Sequence, residues 1–260
     1  MSETRIYCVD IGNTRTHCAL VAYENGRYDV LLSDDYKSAE FADVFVSENL
    51  FEKSGAEAIA WCSVVPKYSE TFKIALKNIN AKAHQLTAEN SPIEIDLKNP
   101  FQVGQDRIAG ALGARIFFEP PYVSVDMGTA VTVDFVDKNG KYAGGAIAPG
   151  MHAFTDYLAD RAAQLPKINP ANADYDIVVG RNTEEAMYVG CLKGFCRLID
   201  GILSDIEKEY FLPEGITKKT IFTGGSVCLL PKKWLADRKL EPNLAHLGLA
   251  YFYILKENKL

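Results

Sequence analysis

Three aspartates sit beside glycines in settings that suit phosphate chemistry: Asp10-Ile11-Gly12-Asn13-Thr14, Asp126-Met127-Gly128-Thr129 and Gly104-Gln105-Asp106-Arg107. A glycine after an acidic strand end lets the backbone come close to a ligand, and successive turn amides can form an anion-binding concavity. Asn13 and Thr14 add neutral donors that suit a polyphosphate, and the Asp10 carboxylate could hold Mg2+ directly or through water. The same residues could equally cap a hairpin turn. Two Asp-bearing turns facing one cleft would serve phosphoryl transfer, in which metal positioning and charge neutralisation dominate. Asp106, opening a helical pattern, could accept the proton of a substrate hydroxyl while Arg107 clamps a substrate carboxylate. An acid there could also be a cap or a partner of the helix dipole.

The elements that must position these residues repeat once along the chain. A strand enters Asp10, a second strand-like run covers 16–23, the pair Asn25-Gly26 gives a hairpin turn, and a third run covers 28–32. The second copy starts at 122, passes through Asp126, runs over 132–136, turns at Asn139-Gly140 and continues over 142–148. Asp10 and Asp126 thus hold the same place in two copies of one pattern, which points to a duplicated α/β fold with a cleft between its halves. The glycines of Gly144-Gly145 in the third run mark close approach of another backbone or a ligand. Apolar spacing predicts helices over 39–54, 67–79, 105–118, 151–163, 183–211, 227–236 and 243–259, with strands over 58–65 and 220–222. Thr183 reads as the N-cap of its helix. The division falls near residue 118, giving halves 1–118 and 119–260, the terminal helix in the second.

A chain of 260 residues is long enough to bury a core without disulfides or a structural metal. Its 48% apolar and 24% charged residues exclude the disordered and collagen-like classes. A net charge of −6 argues against sequence-independent nucleic-acid binding, so any phosphate ligand must be held by turn amides or a metal ion. No uncharged stretch reaches the roughly 18 residues of a membrane span, and the first residues lack the pattern of a signal peptide. The six cysteines form no CxxC pair, which suggests reduced thiols in a cytoplasm, mostly as small core residues. His17, His84, His152 and His246 lack metal-ligand spacing. P-loop, protein-kinase, GxGxxG and GxSxG signatures are missing.

Together these residues resemble the type III pantothenate kinases, a family within the acetate and sugar kinase, Hsp70 and actin superfamily. The strings that carry the resemblance are Asp10-Ile11-Gly12-Asn13-Thr14, Asn99-Pro100-Phe101-Gln102-Val103-Gly104-Gln105-Asp106-Arg107, Asp126-Met127-Gly128-Thr129-Ala130-Val131-Thr132, Gly144-Gly145-Ala146-Ile147-Ala148-Pro149-Gly150, Gly180-Arg181-Asn182-Thr183 and Thr223-Gly224-Gly225. The resemblance implies duplicated actin-like (ribonuclease H-like) domains, each a mixed β-sheet flanked by helices. It implies ATP-dependent phosphorylation of pantothenate, the first step of coenzyme A synthesis. Asp10, Ile11, Gly12, Asn13, Thr14, Arg15, Thr16 and His17 would form the ATP phosphate loop, and Thr129 would contact ATP. Asp106 would be the general base, and Gly104, Gln105, Asp106 and Arg107 would line the pantothenate site with Thr183. Mg2+ would assist, and Asp126 would hold a monovalent cation, K+ or NH4+. The family also implies a homodimer. Many members carry a tyrosine two residues before the Asn-Pro pair, where this chain has Leu97, which offers aliphatic contact but no hydroxyl. Alternatives are a regulatory ATP-binding protein of the same fold, or a kinase or phosphohydrolase acting on another small substrate.

Overall fold

The computed structural model describes residues 3–77 and 79–258. The reading of residues 1–2, position 78 in the helix expected over 67–79 and the last residue of the helix expected over 243–259 lie outside the described residues. The chain forms two compact units, one of Met1–Pro120, Lys138–Ala143 and Asn243–Leu260, the other of Pro121–Asp137 and Gly144–Pro242.

In the first unit β1 (Thr4–Ile11), β2 (Arg15–Glu24), β3 (Arg27–Lys37), β4 (Ala58–Ser63) and β5 (Lys82–Gln85) form a sheet in the order β3-β2-β1-β4-β5. The first three are an antiparallel meander, and β4 and β5 join in parallel. The Asn25-Gly26 turn has both residues at positive φ, 49° and 85°, as a type I′ hairpin requires. Alternation along β1 sends Tyr7, Val9 and Ile11 into a core with Phe41, Phe45, Trp61 and Phe72. The rings of Phe41, Phe45 and Phe72 lie 5.1–5.6 Å apart. Around this core stand α1 (Ser38–Ser47), α2 (Leu50–Ser54) and α3 (Pro66–Leu76), the last opening on a proline whose missing N–H is not needed there. The helix expected over 39–54 is interrupted at Asn49, whose φ of 51° is left-handed.

A further layer is built from α4 (Gln105–Arg115) and the terminal helix (Leu244–Lys256), which also packs on β1, β2 and β4. A Cβ at Gly113 would collide with the Leu244 carbonyl, and one at Gly248 with the Ala109 carbonyl, so two glycines set how closely these helices approach. By its contacts the terminal helix belongs to the first unit, whereas the division at 118 had grouped it with the second half.

The second unit repeats the topology. Its strands β6 (Tyr122–Met127), β7 (Ala130–Val136), β8 (Tyr142–Pro149, of which the first two residues count with the first unit), β9 (Thr220–Thr223) and β10 (Lys239–Leu240) stand in the order β10-β9-β6-β7-β8. Here too an antiparallel pair leads into parallel strands. Its helices are α5 (Met151–Arg161), α6 (Thr183–Met187), α7 (Gly194–Ile206) and α8 (Lys232–Leu235), with π-helical turns at Tyr188–Lys193 and Glu207–Phe211 making 183–211 one helical run. The helix expected over 227–236 is broken at Leu230, held extended (φ −87°, ψ 154°) by the following Pro231. Thr183 is not the N-cap: the side chain of Asn182 accepts from the Glu185 N–H at 2.9 Å. Two mixed sheets of one topology, each flanked by helices, constitute the duplicated α/β, actin-like class.

Candidate active site

Asp10 is the next-to-last residue of β1, opposite His17 on β2 and in parallel register with Cys62 on β4. The chain then turns through Gly12, whose N–H donates to the Arg15 carbonyl at 3.0 Å. A Cβ at Gly12 would stand 2.9 Å from that oxygen, so the turn needs glycine. Asn13, Thr14 and Arg15 are exposed at the turn, while Ile11 and Thr16 are buried. Thr16 Oγ1 donates to Ser38 Oγ at 3.1 Å, so what these two buried residues can offer a nucleotide is backbone. His17 Nδ1 lies 2.5 Å from Asp35 Oδ1.

Asp106 lies in the first turn of α4 after Gly104, and its Oδ1 accepts the Arg107 N–H at 2.8 Å. A Cβ at Gly104 would run into that carboxylate. Gln105 Oε1 accepts the Ser63 N–H at 3.1 Å, tying the start of α4 to the end of β4. The Arg107 guanidinium stands over the Tyr142 ring, 5.8 Å from its centre. A polar cavity of about 540 Å3 opens here, lined by Ser63, Val64, Lys73, Gln85, Gly104 and Gln105 among others. Asp106, Arg107 and the half-buried Leu97 are not among its lining residues.

The two carboxylates share an electrostatic environment. Burial, then the charge of Asp106, pushes Asp10 up to about 6, against the opposing pull of the Cys62 hydrogen bond and His17. Asp106 is also raised by burial, with the Arg107 N–H and guanidinium acting against the rise. Hard oxygen donors of this kind fit Mg2+, which is commonly held by one or two carboxylates together with substrate phosphates. Among the described residues no cluster of three or more His, Cys, Asp or Glu side chains is gathered as for a resident metal.

In the second unit Asp126 repeats the position of Asp10, paired with Thr132 on β7 and Thr223 on β9. The Gly128 N–H donates to the Ala130 carbonyl at 3.0 Å. This turn is one residue shorter than the first, since Asp126 faces Thr132 and Asp10 faces His17. Gly224, at φ 96°, packs against the Asp126 carboxylate, and Gly150 against the carbonyls of Gly128 and Thr129, with no room for a Cβ at either. Carboxylate and carbonyl oxygens at one turn are donors that suit a monovalent cation. Thr129 is exposed beside them. Thr183, exposed at the start of α6, lines an apolar cavity of about 580 Å3 with Phe154, Tyr157, Leu158, Leu165 and Met187.

Sequence reasoning left Cys62 among the core cysteines. The structure makes it the side-chain donor to Asp10, with Sγ 3.3 Å from Oδ1. Burial and the charges of Asp10 and Asp106 push the thiol upward, so its proton stays in place. Only the pairing of β1 with β4 brings these residues together, and no local motif records it.

The family model of the type III pantothenate kinases matches residues 6–205. A type III pantothenate kinase of Zymomonas mobilis is 31% identical over 258 residues, covering 95% of this chain and 92% of the relative. One of Akkermansia muciniphila is 36% identical over 195 residues, covering 74% of this chain and 76% of that protein. Among solved structures, a Baf family transcriptional activator of Campylobacter jejuni aligns with a TM-score of 0.64 at 21% identity, covering 98% of this chain and 100% of that one. A Ppx/GppA family protein of Aquifex aeolicus aligns with a TM-score of 0.50 at 13% identity, covering 99% and 90%. At such identities the structural likeness is one of fold. The sequence match is of another order, running through both Asp-bearing turns and the start of α4, and by it the chain belongs to the type III pantothenate kinase family.

Proposed function

We propose that the protein transfers the γ-phosphoryl group of ATP to the primary hydroxyl of pantothenate, giving 4′-phosphopantothenate and ADP, the first committed step of coenzyme A synthesis. The observation that carries this reading beyond family membership is the pair of carboxylates in the first unit. Asp10 stands beside a glycine turn and Asp106 at a helix start, both raised from their ordinary values first of all by burial. Burial raises Asp106 from its ordinary value, which makes it a stronger base. Asp106 accepts the hydroxyl proton as the oxygen attacks the γ-phosphorus, the bond to the β-phosphoryl oxygen breaks, and ADP leaves. The turn at 10–17 cradles the phosphates with its backbone amides. Arg107 presents a planar fork to the pantothenate carboxylate, and Gly104, Gln105 and Leu97 complete that site.

Mg2+, when bound, neutralises charge on the transferring phosphates, and Asp10 is the residue that would hold it. Asp126 would hold K+ or NH4+. Membership of the family supports a cytoplasmic homodimer. Among the described residues no helix is long and apolar enough to cross a membrane. Incubation of the purified protein with ATP, Mg2+, K+ and a panel of hydroxyl acceptors, read by mass spectrometry, tests the reading. Phosphate appearing on pantothenate supports it; phosphate confined to a sugar, or nucleotide binding without transfer, replaces it with one of the alternatives.

A further inference from the structure

Asp10 is the next-to-last residue of β1, before a glycine turn, and its carboxylate has two rotatable side-chain bonds to fix. The neighbour that does so is Cys62, fully buried on β4 and in register with Asp10 through the parallel β1–β4 pairing. Its thiol donates to Asp10 Oδ1 across 3.3 Å. Cys62 is enclosed, so it is not placed to be a nucleophile or to exchange with solvent thiols. Its chemistry is that of a donor which fixes one carboxylate oxygen and leaves the other for a ligand. Ser63, the next residue on β4, receives the opposite treatment: its N–H is taken by Gln105 of α4. The end of β4 thus braces both parts of the site, Asp10 through a side chain and the Asp106 helix through the backbone.

We propose that Cys62 is a positioning residue, whose S–H holds the Asp10 carboxylate in the orientation from which it engages the Mg2+ of bound nucleotide. This rests on the reading of Asp10 as the Mg2+-holding residue. A hydrogen bond to a charged group contributes enough that its loss should weaken the held interaction by about tenfold.

Two measurements on the full chain decide it. The first is the infrared S–H stretching band of Cys62, isolated as the difference between the parent and Cys62→Ser. It should lie at lower frequency in the parent than in Asp10→Ala, which lacks the acceptor. A band in the same place in both proteins overturns the proposal. The second is binding of Mn2+, as a paramagnetic substitute for Mg2+, in the presence of ADP, followed by electron paramagnetic resonance. Cys62→Ala should weaken Mn2+ binding about tenfold, and Cys62→Ser, which keeps a donor, should restore most of the loss. Equal weakening in both variants indicates packing alone, and no weakening in either removes the role. Neither readout requires turnover. Failure of the parent to phosphorylate pantothenate would therefore count against the proposed function and leave the assignment of Cys62 to be judged by its own band.

Discussion

Replacing Asp10 by Asn should make the protein more stable at pH 8 even as it removes a carboxylate from the proposed phosphate loop. Asp10 titrates at about 6 in the folded chain against an ordinary 3.8, first because it is buried and then because Asp106 is charged. Above about pH 6 both folded and unfolded chains carry the ionised group, and the folded chain bears the cost of keeping it so. The difference of about two pH units corresponds to about 3 kcal/mol. Between pH 3.8 and about 6 the folded state binds more protons than the unfolded, so this group's contribution to stability falls as pH rises through that window. Below 3.8 the group is neutral in both states and costs nothing on this account. Asn keeps the shape and the acceptor oxygen without the charge, and in a chain of this size about 3 kcal/mol should raise Tm by roughly 6 °C or more at pH 8. Scanning calorimetry without nucleotide or Mg2+ measures this, as the difference between variant and parent at pH 8, 6 and 4. The gain should shrink through pH 6 and vanish near pH 4. A variant less stable than the parent at pH 8, or a gain that persists at pH 4, would refute the electrostatic reasoning.

His246 has the opposite sign. Burial in the terminal helix pushes it down to about 4, against the opposing pull of a hydrogen bond with the His17 backbone. The unfolded chain therefore takes up a proton first as pH falls below 6.5, and stability is lost down to about 4. His246→Leu should remove that loss, stabilising by about 2 kcal/mol more at pH 5 than at pH 7 in urea denaturation. Gly12→Ala places a Cβ 2.9 Å from the Arg15 carbonyl, so the turn must shift. Its KM for ATP should rise on the order of tenfold while Tm moves by only a few degrees, because the strain falls on an exposed turn. An unchanged KM would separate the turn from nucleotide binding.

Much of this architecture could be read from local sequence, because the elements that matter announce themselves by short-range chemistry. The two Asp-x-Gly turns, the Asn25-Gly26 hairpin and the helix start at Gly104 depend on φ angles, capping and alternation that a few residues settle. Elements whose existence depends on distant partners were not legible. Strand β5, Lys-Ala-His-Gln, has no apolar alternation and forms because β4 offers it an edge, and β10 spans two residues for the same reason. Strand β3 extends to Lys37, well past the expected 28–32, because its exposed edge position imposes no apolar pattern. The return of the terminal helix to the first unit hangs on Gly113 and Gly248, which mean something only once the helices meet. The site divides likewise. The motifs around Asp10 and Asp106 stand out locally, whereas the contact of Cys62 with Asp10 depends on strand register.

The most direct measurement is the rate of 4′-phosphopantothenate formation by purified Asp106→Asn beside the parent, with saturating ATP, Mg2+, K+ and pantothenate. If Asp106 takes the hydroxyl proton in the transition state, kcat should fall by about 10²- to 10⁴-fold while KM for ATP stays within a few fold. Near-parental turnover by Asp106→Asn would contradict the assignment of the base and, with it, the mechanism.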